Sequence, residues 1–254
     1  MGALLKNPHL QLSRGIYILP NLLTTGSLFA AFYAIVAGMK HHFVTAVIAI
    51  FIGMIADALD GRVARMTHTQ TAFGAEYDSL SDLVTSGLAP SLLAYTWGLA
   101  HFGKIGWLIA FVYTASVALR LARFNTQLGV ADKRYFQGLA CPAGAGIVAS
   151  FIWVGQYYEL TGIYFRVFLA ILMVFIAILM VSKIRYYSFK DIDFKGKVSF
   201  LHALLTVLLF VAIAVNPSVM LLISFSLYSL SGPTHTLMQL HRVRRSKRRG
   251  ENIP

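Results

Sequence analysis

Residues 57–82 read DALDGRVARMTHTQTAFGAEYDSLSD and hold five of the ten acidic side chains of this chain. Long apolar runs flank the stretch on both sides, so its aspartates fall within predicted membrane helices. An aspartate inside a membrane helix costs about 3 kcal/mol on insertion scales, and such residues are functional candidates for that reason. A group of four therefore requires a compensating positive charge.

The spacing of the four aspartates predicts how they meet. Asp57 and Asp60 are three residues apart, and Asp78 and Asp82 are four apart, so each pair lies on one helix face. The polar residues 66–73 between the pairs are numerous enough to turn the chain back. Two antiparallel helices would therefore point four carboxylates at one another.

Small residues surround this cluster, since Gly61 and Ala64 share a face with the first pair and Gly74 precedes the second. A site made only of oxygen ligands suits a hard cation such as Mg²⁺, Mn²⁺ or Ca²⁺. Four carboxylates suit two such ions about 4 Å apart, an arrangement that clamps phosphates. The alternative is that the aspartates form structural ion pairs with nearby arginines, and the regular aspartate spacing disfavours it. The arginines concerned are Arg62, Arg65, Arg120 and Arg123.

The rest of the chain predicts an all-α polytopic membrane protein. Of its 254 residues 57% are apolar and only 13% charged, whereas a soluble domain carries about 25% charged residues. The apolar residues form blocks of the length that crosses a bilayer. We predict about eight transmembrane helices, at 20–38, 43–64, 77–99, 104–124, 140–158, 161–182, 199–215 and 217–237. Residues 1–19 are expected to form an amphipathic segment on the membrane surface, and residues 241–254 a basic cytoplasmic tail.

The lysines and arginines predict the orientation. With both termini in the cytoplasm, 19 of the 22 basic residues lie on the cytoplasmic side and 3 on the other. The aspartates then open toward the cytoplasm, in the inner membrane of the cell. The net charge of +12 favours contact with anionic lipid headgroups. A basic tail is also found in nucleic-acid-binding proteins, but beside eight spans we expect no nucleic acid partner.

The motif Asp57-Ala-Leu-Asp60-Gly61-Arg-Val-Ala64-Arg65, with Gly74, Asp78 and Asp82 at fixed spacing, resembles the signature of the CDP-alcohol phosphatidyltransferases. The resemblance implies a six-helix catalytic core, here residues 20–198, followed by two additional helices at 199–240. It also implies a frequently dimeric enzyme that transfers a phosphatidyl group from CDP-diacylglycerol to an alcohol and releases CMP.

The resemblance further implies roles by position. Asp57, Asp60 and Asp78 would hold the Mg²⁺ or Mn²⁺ ions. Asp82 would join them as a metal ligand and act as the general base. Residues expected to contact CDP-diacylglycerol are Asn21, Thr24, Gly61, Arg65, Thr71 and Gly74. Pro20-Asn21-Leu-Leu-Thr24 resembles the start of the first helix of the family, although Asn21 and Thr24 equally suit a helix cap.

Three segments outside the motif, at 118–125, 134–139 and 182–190, resemble the integral-membrane phosphatidylserine synthases of this family. Cys141 departs from the pattern, because residues 139–142 read LACP where an LPSP-like run is expected. Serine brings a carboxylate that needs a cationic partner, and the residues expected to bind it are Arg120, Arg123, Asn125, Arg185 and Tyr186. For each arginine the alternative is a side chain that extends to the membrane interface.

The sequence therefore predicts a CDP-diacylglycerol–serine O-phosphatidyltransferase that uses two divalent ions. Its expected partners are CDP-diacylglycerol, L-serine, membrane lipids and a second copy of the chain. Two alternatives stay open: a transferase of the same family for choline, inositol or glycerol 3-phosphate, and an ion-coupled transporter. Transporters usually have two related halves with broken helices, whereas the acidic residues here gather on two spans.

Overall fold

The computed structural model describes residues 18–67, 69–127, 135–187 and 200–248, which are almost entirely helical. The α-helices are α1 Ile18–Met39, α2 Phe43–Met66, α3 Ala72–Asp82, α4 Ala89–Trp97, α5 Lys104–Gln127, α6 Cys141–Tyr157, α7 Ile163–Val181, α8 Phe200–Val215 and α9 Pro217–Arg248. A π-helical turn, Leu83–Leu88, joins α3 directly to α4, and a 3₁₀ turn, Leu99–Phe102, precedes α5.

Helices occupy all eight segments that the sequence predicts as spans, with α3, the π turn and α4 together forming the third. Within the described ranges, four helices are long and apolar enough to cross a membrane: Ile18–Met39, Phe43–Met66, Lys104–Thr126 and Ile163–Val181. The chain is therefore a helical membrane protein. Residues 1–17 of the expected surface segment and residues 249–254 of the expected tail lie outside the described residues.

A short antiparallel ladder departs from the all-helical prediction. Strand β1, Tyr135–Gln137, pairs with β2, Arg185–Tyr187, and places Gln137 opposite Arg185. Gly138 follows β1 with a positive φ of 78° and donates its N–H to the Ile184 carbonyl at 2.8 Å. The next amide, of Leu139, donates to the Leu179 carbonyl at 3.1 Å. The ladder thus fixes the start of α6 against the end of α7.

Helix α6 lies at the centre of the bundle, and its glycines let three neighbours approach closely. A Cβ at Gly144 would lie 2.1 Å from Met180 of α7, and one at Gly146 would lie 2.6 Å from Phe225 of α9. A Cβ at Gly155 would lie 2.5 Å from the Trp97 ring. Small residues allow this close approach in membranes, where packing replaces the hydrophobic effect as the main cause of helix association.

The first two helices pack closely on the π turn. Ser27 of α1 shares a hydrogen bond of 3.1 Å with Thr85 in the π turn. A Cβ at Gly53 of α2 would lie 3.1 Å from the Thr85 methyl and 3.3 Å from the Ser27 carbonyl oxygen. Helices α1 and α2 and the π turn that continues α3 are therefore held together just beyond the acidic cluster.

Candidate active site

The structure brings the carboxylates of α2 and α3 together, as the spacing predicts. Asp57, Asp60 and Asp78 each offer a carboxylate oxygen, and these three atoms lie within 4.8 Å of one another. Asp82 is not part of that set, although its carboxyl group lies beside that of Asp57, within hydrogen-bonding reach. Asp57 is thus the residue that links the three-carboxylate set to Asp82.

The chemistry of this cluster fits a divalent cation. One oxygen of Asp57 and one of Asp82 are buried and have no hydrogen-bond partner among the described residues. Buried carboxylate oxygens without a donor are costly, and several side by side repel one another. A hard cation with oxygen ligands removes both penalties, so the residues present suit Mg²⁺ or Mn²⁺.

Thr24 orients one of these carboxylates. Its hydroxyl donates to Asp60 and also lies 3.1 Å from the Pro20 carbonyl oxygen, so the two acceptors compete for one proton. Asp60 is only 3% exposed, and Ser81 donates to the Thr24 carbonyl at 3.2 Å. Thr24 therefore lies within α1 as a neighbour of the acidic cluster. The sequence gives no local signal for this contact, since 36 residues separate the partners.

The residues expected to contact the nucleotide gather at the starts of α1 and α3. The Thr71 hydroxyl caps α3 by accepting the Gly74 amide proton at 2.9 Å. A Cβ at Gly74 would lie 3.5 Å from the Asn21 side-chain oxygen, which places the first-helix motif beside this cap. Asn21, Thr71 and Gly74 therefore form one surface next to the aspartates.

Arg65 lies over Gly61, the glycine of the motif. A Cβ at Gly61 would be 3.5 Å from Nη1 of Arg65, at ordinary van der Waals distance. The exposed guanidinium interacts electrostatically with Asp60 and Asp78. Its planar fork suits a phosphate group. The structure thus places an exposed cation at the edge of the acidic cluster.

The arginines near the end of α5 have different surroundings. Arg120 donates from Nη1 to the sulfur of Cys141 at 3.4 Å, and its Nε is buried without a hydrogen-bond partner in the described part of the chain. Arg120 also lies close enough to Asp82 to interact electrostatically. Arg123 donates to the Val181 carbonyl at 2.9 Å, and so caps the end of α7. Both hydrogen bonds go to groups other than the aspartates.

The other residues expected to bind serine mainly join elements. The Asn125 amide donates to the Ser79 hydroxyl at 3.1 Å, which ties α5 to α3. Tyr186 is fully buried and donates to the Ser229 carbonyl at 3.0 Å, which ties β2 to α9. Burial raises the pKa of Tyr186 to about 12, so its hydroxyl stays protonated as a donor. The Arg185 backbone lies in β2, and its side chain is outside the described residues.

Comparison with known proteins identifies the class to which this site belongs. The family model of the CDP-alcohol phosphatidyltransferases matches residues 17–182, more than half of the chain. The chain therefore belongs to the CDP-alcohol phosphatidyltransferase family, and it is a phosphatidyltransferase of phospholipid biosynthesis.

Several curated relatives carry one name. A CDP-diacylglycerol–serine O-phosphatidyltransferase of Helicobacter pylori (strain 26695) is 35% identical over 219 residues, which cover 85% of this chain and 90% of the relative. One from Bacillus subtilis is 36% identical over 173 residues, or 68% of this chain and 91% of the relative. One from Methanocaldococcus jannaschii is 38% identical over 137 residues, which cover 54% of this chain and 61% of the relative. The predicted family is thus confirmed.

Proposed function

We propose that this enzyme is a CDP-diacylglycerol–serine O-phosphatidyltransferase, which makes phosphatidylserine and CMP. The observation that carries the proposal is the similarity to relatives of that name along 85% of the chain, together with the acidic cluster that the family chemistry needs. A cationic group beside the cluster, Arg120, supports an acceptor that bears a carboxylate.

The metal centre would be built by the carboxylates of α2 and α3. Asp57, Asp60 and Asp78 would hold two Mg²⁺ or Mn²⁺ ions, with Asp82 at the side of Asp57. When bound, such ions neutralise the pyrophosphate of the donor and the charge on the departing CMP. The hydrogen bond from Thr24 would hold the Asp60 carboxylate in a fixed orientation for this role.

Residues beside the acidic cluster would bind the donor, and Asp82 would accept a proton. Asn21, Thr71 and Gly74 lie where the cytidine and its phosphates would enter, and Gly61 with Arg65 would receive a phosphate. The carboxylate of Asp82 would accept the proton of the serine hydroxyl. The serine oxygen would then bond to the phosphorus that carries diacylglycerol, while the bond from that phosphorus to the CMP oxygen breaks.

Among the residues expected to bind serine, Arg120 has the surroundings that best suit the acceptor's carboxylate. Arg120 is half-buried near Asp82, and its Nε lacks a hydrogen-bond partner among the residues that the structure describes. Arg123 and Asn125 lie nearby, and they would shape the same pocket while they hold α7 and α3. Tyr186 would support the pocket wall through α9, and Arg185 remains a proposed contact from β2.

We place the enzyme in the inner membrane with eight spans, both termini and the active site in the cytoplasm. The catalytic core would comprise residues 20–198, with two further helices at 199–240 and a homodimer as the assembly. The basic residues that flank the cytoplasmic helix ends support this orientation. The active-site ends of α2, α3 and α5 lie together in the bundle, as the orientation requires.

The acceptor is tested by supplying purified enzyme with CDP-diacylglycerol, Mg²⁺ or Mn²⁺, and one alcohol at a time. We expect serine to give phosphatidylserine, and choline, inositol and glycerol 3-phosphate to give little product by lipid mass spectrometry. Serinol, which lacks the carboxylate, should be a poor acceptor. Product from another alcohol in preference to serine would overturn the proposed acceptor, and full activity after verified metal removal would overturn the metal centre.

A further inference from the structure

Cys141 occupies a fixed position beside the guanidinium of Arg120. It is the first residue of α6, is 1% exposed, and precedes Pro142, whose ring restricts the first helical turn. Two of the three residues before it are held against α7. The Leu139 amide donates to the Leu179 carbonyl at 3.1 Å, and Gly138 lies so close to the Met180 carbonyl oxygen that a Cβ would not fit. The sulfur therefore has little freedom to move.

The contact between sulfur and guanidinium determines which edge of Arg120 stays available. Nη1 is taken by Cys141 at 3.4 Å, whereas Nε is buried and has no partner in the described residues. A carboxylate binds an arginine through two parallel N–H donors, and Nε with Nη2 forms one such pair. Cys141 thus occupies Nη1, while the Nε of this edge has no hydrogen-bond acceptor among the described residues.

The electrostatics at this point favour an anion. Ala140 precedes Cys141 and provides no side-chain cap for α6. The first N–H groups of a helix carry a partial positive charge. In α6 these are the N–H groups of Cys141 and Ala143, because Pro142 has none. Arg120 adds a full positive charge at the same place, since its Nη1 touches the first residue of the helix. Asp82 lies close enough to Arg120 and Cys141 to interact electrostatically with both, and so balances part of this positive charge. A ligand carboxylate on the guanidinium would balance more of it.

We propose that Cys141 is a positioning residue for the acceptor alcohol. Its sulfur holds Nη1 of Arg120, so that the Nε edge of the guanidinium faces the acceptor's carboxylate. This inference rests on the proposed function, because it requires an acceptor with a carboxylate. Cys141 itself touches neither substrate in this arrangement and acts only through Arg120.

The test compares the steady-state kinetics of purified full-length wild type and variants. Serine is varied at saturating CDP-diacylglycerol, and CDP-diacylglycerol is then varied at saturating serine. Cys141→Ala should raise the KM for serine roughly fivefold, because the guanidinium loses one hydrogen bond that fixes its direction. The KM for CDP-diacylglycerol and the kcat at saturating serine should change less than about twofold. Cys141→Ser, which restores an acceptor at this position, should return the serine KM to nearly the wild-type value.

Two further variants separate positioning from general damage. In an Arg120→Ala background, Cys141→Ala should add no further rise in the serine KM, since the group that it positions is gone. Ser150→Ala removes a polar group of similar size from the same helix and should leave both KM values unchanged, because its hydroxyl donates to the Gly146 and Ile147 carbonyls of that helix. Cys141→Val keeps bulk at the site and replaces the alanine variant if that variant does not fold.

Three results would overturn the inference: an unchanged serine KM in Cys141→Ala, an equal rise in both KM values, or no recovery in Cys141→Ser. An additive effect in the Arg120→Ala background would do the same. Failure of the proposed function looks different, because the wild-type enzyme would then make no phosphatidylserine at any serine concentration.

Discussion

Asp82 is the carboxylate at the edge of the three-residue set, and we propose that it accepts the proton of the acceptor alcohol from this position. We expect Asp82→Asn to lower kcat by at least about a hundredfold, because the general base is removed. Binding of CDP-diacylglycerol should change little, since Asp57, Asp60 and Asp78 remain. Single-turnover kinetics and donor binding to the same preparation measure both quantities. Glu76→Gln, an exposed acid on the same helix, is the matched control, and near wild-type turnover in Asp82→Asn would refute the role.

Thr24 allows a second test at the same scale, directed at the metal centre. Thr24→Val keeps the shape of the side chain but removes the hydroxyl that donates to Asp60. Hydrogen bonds to a ligating carboxylate typically change metal affinity or activity by about tenfold or more when they are lost. The Mn²⁺ concentration for half-maximal activity should therefore rise about tenfold. Thr96→Val serves as the control, since its hydroxyl bonds to its own helix, and an unchanged metal requirement would contradict the role of Thr24.

At the scale of elements, the sequence predicts those features of the fold that depend on local sequence patterns, such as the positions of helices. Apolar runs with polar or Gly-containing ends mark several helices within a few residues, as at Ile163–Val181 for the predicted 161–182. The prediction is poorer where a helix continues into polar sequence: α3 begins at Ala72, five residues before the predicted span, and α9 continues to Arg248, beyond the predicted end at 237. Regular aspartate spacing likewise predicts that α2 and α3 face each other. Contacts between distant segments leave no such pattern: β1 and β2 are three residues each and lie far apart in the chain. The Thr24–Asp60 bond and the Arg120–Cys141 contact belong to the same group.

The ladder of β1 and β2 leads to a prediction about stability. Gly138 has a positive φ of 78°, where a side chain costs about 1–3 kcal/mol in backbone strain. An added Cβ would also lie 2.2 Å from the Met180 carbonyl oxygen. Gly138→Ala should therefore lower the unfolding temperature in detergent by several degrees and raise the serine KM, because the start of α6 shifts. Gly162→Ala is the control, with φ at −64° and open space around the site. Equal stability of the two variants would show that the ladder does not constrain α6.

At the scale of the whole molecule, the orientation in the membrane decides which side of the membrane the acidic cluster faces. In the orientation that we propose from the basic residues, the α2–α3 connection lies inside the cell and the α4–α5 connection outside. Gln70 and His101 are exposed residues in these two connections, and the chain has one cysteine, which is buried. We expect a cysteine at position 101 to react with a membrane-impermeant maleimide in intact cells.

A cysteine at position 70 should react with that reagent only after the cells are opened, because the membrane separates it from the label. Cys141 lies buried at the start of α6, so the parent chain should remain unlabelled in the folded state and provide the background. A detergent-solubilised sample, in which both positions react, controls for exposure. Labelling of position 70 in intact cells would reverse the proposed orientation. The active site would then face away from the cytoplasm, and the interpretation of the basic residues as topology signals would be wrong.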